Sequence, residues 1–113
     1  MKNKIFALVL IAVLAIGCKK EDEDNLNQYR FEIWSDSPTD IKYYDEKGAT
    51  HLVYLVKYEW SYDFEAKKVN AYCRANCRTG DFSGKLFKNW IVVNSFTIDH
   101  TSKNRIQYLH GEF

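Results

Sequence analysis

The 113 residues carry 16 basic and 15 acidic side chains, a formal net charge of +1, and 46% of them are hydrophobic and 16% aromatic. So even a balance offers no basic stripe of the kind that binds nucleic acid, and no heptad or long helical period marks a coiled coil.

The chain opens MKNKIFALVLIAVLAIG. Lys2 and Lys4 precede an unbroken apolar run over 5–16, the form of a secretory signal. Twelve helical residues reach about 18 Å, well short of a hydrocarbon core of about 30 Å, which argues against a spanning helix. Ala15-Ile16-Gly17-Cys18 resembles the lipobox of bacterial lipoproteins, with Ala15 where that family usually has leucine. The resemblance implies cleavage before Cys18 and a covalent lipid on its thiol as the only cofactor; ordinary cleavage beside an incidental cysteine is the alternative. Several acyl chains, each contributing about 0.8 kcal/mol per buried methylene, would hold Cys18 in a membrane.

Residues 18–28 read as a tether. Lys19-Lys20-Glu21-Asp22-Glu23-Asp24 resembles the lysine-then-acidic export signal of Bacteroidota lipoproteins, which implies the outer face of the outer membrane. The other reading is a solvated, self-repelling spacer, which leaves a periplasm-facing location open. Loss of residues 1–17 removes two basic residues and no acidic ones, leaving 14 against 15.

The remaining segment, 29–113, is long enough for one small domain and holds 17 of the 18 aromatic residues. Aromatic and β-branched residues in short alternating runs, punctuated by turn residues every eight to twelve positions, predict an all-β domain. YRFEIWS supplies the first strand, ended by Ser35-Asp36-Ser37-Pro38. The second, over 41–44, meets the Asp45-Glu46-Lys47-Gly48 turn, where glycine provides the positive φ. The third and fourth share 51–64, with a bend or bulge expected near Lys57. Further strands are expected over 69–75, 82–87, 90–97 and 106–110, with Lys88-Asn89 as a tight turn. Seven or eight antiparallel strands without a helix predict a small sandwich or barrel.

The order DIKYYDEKGAT, YEWSYDFEAKK and GKLFKNWIVVNSF resembles the small β-domain of the MmpS-type transport accessory family. The matching positions are Ile41, Tyr43, Asp45, Gly48, Trp60, Ser61, Phe64, Leu86 and Val92. Two departures stand out: Glu59 replaces the proline before the tryptophan, and Trp90 takes the place of a glycine in the late turn. The resemblance implies an immunoglobulin-like antiparallel β-sandwich and, more distantly, an accessory role beside an envelope transporter.

With Cys18 lipidated, Cys73 and Cys77 remain as an even pair in an exported chain. Residues four apart in a straight strand lie about 13 Å apart, beyond the limit of about 7 Å for a disulfide, so a bridge demands a turn through 74–76. Bridged, both reduced, or a metal or redox role are the alternatives. Cys-x3-Cys without a nearby histidine is a poor zinc motif, and no metal is expected.

His51, His100 and His110 are scattered, and neither a Gly-x-Ser-x-Gly, a His-Glu-x-x-His nor a phosphate-cradling loop occurs. Asp99-His100 reads as an exposed turn pair rather than half a triad, so no enzyme is expected. Trp34, Tyr44 and Trp90 fall on the polar side of their strands or at a turn. They are the candidates for contact with a protein partner in the cell envelope, with partial burial at the rim of the fold as the alternative. Two functions compete: a non-catalytic binding or transport-accessory lipoprotein, and a protective inhibitor lipoprotein of the lysozyme-blocking kind. A protruding loop over 73–84 would favour the inhibitor.

Overall fold

The computed structural model describes residues 26–113; the expected signal peptide, Cys18 and the expected tether as far as residue 25 lie outside the described residues. Among the described residues there are six strands: β1 (Asn27–Tyr44), β2 (Thr50–Ala66), β3 (Asn70–Cys77), β4 (Phe82–Lys88), β5 (Ile91–Ile98) and β6 (Ile106–Glu112). The fold is all β, one antiparallel and nearly barrel-shaped sheet. Six strands correct the expected seven or eight.

The difference comes from two breaks that face each other. The sequence 35–38 reads as a turn, yet β1 runs through it; Ser35 pairs with Tyr58 and Thr39 with Val56. Three residues of β1 therefore lie opposite Lys57 alone. Pro38 sits in this bulge, where its missing N–H removes no ladder bond. A second shift follows between Thr39 and Ile41. On β2 the bend is taken up by Leu55 and Tyr58, at φ 58° and 68°. The bend expected near Lys57 is there, and both strands turn through it together without ending.

This bent β1–β2 ribbon organises the rest. Residues 29–35 of β1 pair with β4, which pairs with β5; residues 39–43 pair with β3, which pairs with β6. Each half of β1 thus carries its own flank, and the bend turns the two inner faces toward each other. Period-two alternation then sends Tyr29, Phe31, Ile33, Ile41 and Tyr43 inward. They meet Phe64, Phe82, Leu86 and Leu109. On β3 the inward positions are all small, Ala71, Cys73, Ala75 and Cys77, all buried, so a row of short side chains receives the large rings opposite. Tyr29 lies 5.1 Å from Phe64 and 5.5 Å from Phe113, ring centre to ring centre. Full burial of a phenyl ring such as that of Phe31 stabilises by about 1.5–3 kcal/mol.

Of the positions that carry the MmpS resemblance, Ile41, Tyr43, Phe64 and Leu86 are core residues. Asp45 and Gly48 form the β1–β2 turn, with Gly48 at φ 80° and the Asp45 carboxylate accepting from the N–H groups of Lys47 and Ala49, both at 2.9 Å. These matches bear on the scaffold.

Candidate functional site

The outer face of the ribbon is divided by the bend into two shallow grooves. In the β4–β1–β2 half, even-numbered residues of β1 point outward, so Arg30, Glu32 and Trp34 share one surface. A groove of about 490 Å³ runs over them and reaches Glu59, Ser61 and Lys85. Arg30 is its electrostatic centre, donating to Glu32 at 2.9 Å and to both carboxylate oxygens of Asp63 at 2.9 and 3.0 Å. Trp34, 43% exposed, and Trp60 supply aromatic surface to a groove that is otherwise largely polar and charged.

In the β2–β1–β3 half, a groove of about 370 Å³ is lined by Asp40, Lys42, Leu52, Tyr54 and Arg74. Tyr44 stands at its far end, stacked on Tyr72 with ring centres 4.6 Å apart, and Tyr72 in turn lies 6.1 Å from Tyr108. Three tyrosines and two cations thus share one face of β1, β3 and β6. Burial raises the Tyr72 phenol above its ordinary value, so it stays neutral at physiological pH.

Between the grooves lies the bend itself, with Leu55 and Tyr58 72% and 59% exposed. Both have positive φ. An L-residue with a branched or aromatic side chain loses roughly 1–2 kcal/mol in that region, and neither side chain offsets this by burial. The Leu55 N–H is held by the Asp40 carboxylate at 3.1 Å.

The three aromatic candidates do not converge. Trp34 lies beside Ser83, Tyr44 closes β1 at the opposite end, and Trp90 occupies the β4–β5 turn. At 69% exposure Trp90 is the most exposed of them, whereas Tyr44 is half-buried under its stack. Cys73 and Cys77 are both free and buried in the continuous strand β3, without the turn that a bridge demands. Burial pushes the Cys73 thiol up to about 12, which keeps it protonated and unreactive. Cys77 points its thiol at the Thr79 carbonyl, 2.7 Å away.

Leu52, Tyr54, Leu55, Tyr58 and the run 91–93 did not figure among the sequence candidates. Their signal was present: HLVYLVKY and WIVV are apolar on both faces of a strand, which in a one-sided sheet leaves one apolar face outside. His51 sits 2.7 Å from Asp45, and His100 contacts Asp81 at 3.1 Å rather than its neighbour Asp99. Among the described residues no hydroxyl or thiol is hydrogen-bonded to either imidazole, and no group of three His, Cys, Asp or Glu is placed to hold a metal. The 78–81 connection does not protrude. Asp36 donates its N–H to the Asp81 carbonyl, and Arg105 donates to the carbonyls of Cys77, Gly80, Asp99 and Ser102. No protein-family model matches this sequence, and no match is found among curated proteins.

Proposed function

We propose that this chain is a non-catalytic lipoprotein, anchored through Cys18 to the outer membrane and displayed at the cell surface, whose β-domain binds a protein partner of the cell envelope. The observation that carries the binding role is the bend of β2, where Leu55 and Tyr58 keep a disfavoured backbone conformation with their side chains in solvent. Neither contributes to the core, so a partner that covers Leu52, Tyr54, Leu55 and Tyr58 accounts for what the fold alone does not. The tied-down 78–81 connection lends no support to a cleft-inserting inhibitor. The MmpS resemblance supports a transport-accessory role, and with it we read the two halves of the bent ribbon as layers of a small immunoglobulin-like sandwich.

The test places a photo-activatable side chain at Leu55, or at Lys103 as an exposed control, in cells fed labelled palmitate. A discrete adduct from Leu55 but not Lys103, on a chain whose label vanishes in Cys18→Ala, supports the reading. Equal, diffuse cross-linking at both positions defeats the binding role. A wild-type chain without label defeats the anchor.

A further inference from the structure

One end of the domain gathers features that the β2 surface does not use. The β4–β5 connection is a two-residue turn, since Lys88 pairs with Ile91 and only Asn89 and Trp90 lie between them. Both have positive φ, 50° and 69°, the mirror-image turn that matches strand twist and for which Asn-Gly is the favoured pair. Asn89 suits its position. Trp90 stands where a glycine would be relaxed, and its ring is held out from the sheet.

This turn is fastened to the start of β1. Asn89 donates its N–H to the Gln28 carbonyl at 2.7 Å, its side-chain oxygen accepts from the Gln28 N–H at 2.9 Å, and its amide group donates to the Asn27 side chain at 3.0 Å. Trp90 is therefore beside the point where the chain enters the domain. Leu26, 54% exposed, is there, and Ile91, Val92 and Val93 continue the apolar surface outward from the turn. A register shift after Leu86 lets three successive β5 residues stay exposed.

The folded part of this end carries three lysines against two glutamates, and the sequence just before Leu26 adds Lys19 and Lys20 against Glu21, Asp22, Glu23 and Asp24. Asn27 pairs with Ala66, so Lys67 and Lys68 follow at once in the β2–β3 turn, both exposed. Lys88 lies over the Phe113 ring at 5.2 Å. The acids on the strands nearby are Glu65, which accepts from the Gln28 side chain, and Glu112, paired across from Asn70. Seven residues lie between Cys18 and Leu26, eight Cα steps with a reach of at most about 28 Å.

We infer that the end bearing Leu26, Trp90 and Ile91 docks on the surface of the membrane that holds the lipid anchor, with Trp90 at the level of the headgroups and Lys67, Lys68 and Lys88 facing anionic lipid. This rests on the lipoprotein reading above. An amphipathic indole at a turn tip, aliphatic neighbours and a rim of lysines are the chemistry that a headgroup layer recognises. A short tether keeps that end within reach of the surface. Docked this way, the domain would stand with the β2 bend and both grooves away from the bilayer, because β1 runs from the membrane end outward.

The test uses the acylated full-length product, purified from membranes and reconstituted in vesicles of phosphatidylethanolamine and phosphatidylglycerol with bromine on the acyl chains. Trp34 and Trp60 serve as internal controls. Bromine is expected to quench the wild-type emission, Trp90→Phe to lower that quenching at least about twofold, and Trp34→Phe to leave it unchanged. The double variant Lys67→Glu, Lys68→Glu, which leaves Trp90 in place, is expected to weaken the quenching as well. Equal quenching in wild type and Trp90→Phe, with the chain still floating on the vesicles, overturns the docking alone. A cross-link between copies through Val93→Cys, without quenching, overturns it in favour of a second copy. A chain that carries no lipid and does not float overturns the lipoprotein reading itself.

Discussion

Left-handed residues flank strand β4, Gly80 before it and Asn89 and Trp90 after it, and Gly80 and Trp90 are handled in opposite ways. Before it, Gly80 has φ 85° and is packed against Asp36 and Ser37, where a Cβ would collide with both side chains. After it, Trp90 has φ 69° and is open to solvent. Glycine stands where the fold leaves no room, and the largest side chain stands where the same backbone conformation has room on every side. The first end is a polar buttress that joins two connections to the bulge of β1. The second is an apolar tip tied by one asparagine, and its side chain is surplus to the fold.

The largest effect should come from the buttress. The Arg105 guanidinium donates to four carbonyls from two connections and lies 5.2 Å from the centre of the Phe82 ring. Arg105→Ala leaves those carbonyls without their donor and should lower stability by about 3 kcal/mol, measured by chemical denaturation. A loss below about 1 kcal/mol would mean that water replaces the guanidinium freely and that the two ends of β4 are alike.

Gly80→Ala should cost about 2 kcal/mol, combining the left-handed penalty with displacement of the Asp36 carboxylate from the Asp81 N–H, a bond of 3.0 Å. Gly48 offers the control, since it has φ 80° but a methyl group there would meet nothing within 4 Å. Gly48→Ala should therefore cost about 1 kcal/mol, the backbone penalty alone. Equal losses at both sites would remove crowding as the reason for glycine at 80.

How much of this was legible in the sequence follows from how local each feature is. Strands β3 to β6 were readable within a residue or two because alternation and turn residues lie in the chain itself. The merging of 29–35 with 41–44 was not, because Ser-Asp-Ser-Pro is turn chemistry and only the partner strand, bending at Lys57, converts it into a bulge. Trp34 on a polar face followed from the period of β1. Tyr44 under Tyr72 did not, because the phase of β3 against β1 is set by pairing Tyr43 with Cys73. HLVYLVKY shows a run apolar on both faces, but which of its residues face solvent, Leu55 and Tyr58 among them, depends on β2 lying at an edge and is not legible in the chain itself.

Acid should separate the two ends more gently. The Asp99 carboxylate is held below the usual range by the Thr101 hydroxyl and then by the Thr101 N–H at 2.9 Å. A depressed native value means that the stabilisation is present above the ordinary carboxylate range and is lost as pH falls through the native one. Amide exchange in 99–105 should therefore accelerate, relative to the intrinsic rate, as pH drops below about 4, while the Asn89 N–H, bonded to the Gln28 carbonyl, keeps its protection. Parallel loosening at both ends would point to global acid unfolding.

The smallest effect has the opposite sign. Trp90→Gly removes the left-handed penalty, adds some unfolded-state entropy, and should leave the domain more stable by about 0.5 kcal/mol. Urea denaturation of the variant beside wild type measures this directly. A gain shows that the indole is kept against the interest of the fold, which is the signature expected of a residue that faces a membrane or partner. A loss of 1 kcal/mol or more would show that Trp90 packs on the sheet and contributes to stability, and the contrast between the ends of β4 would then be one of size rather than of purpose.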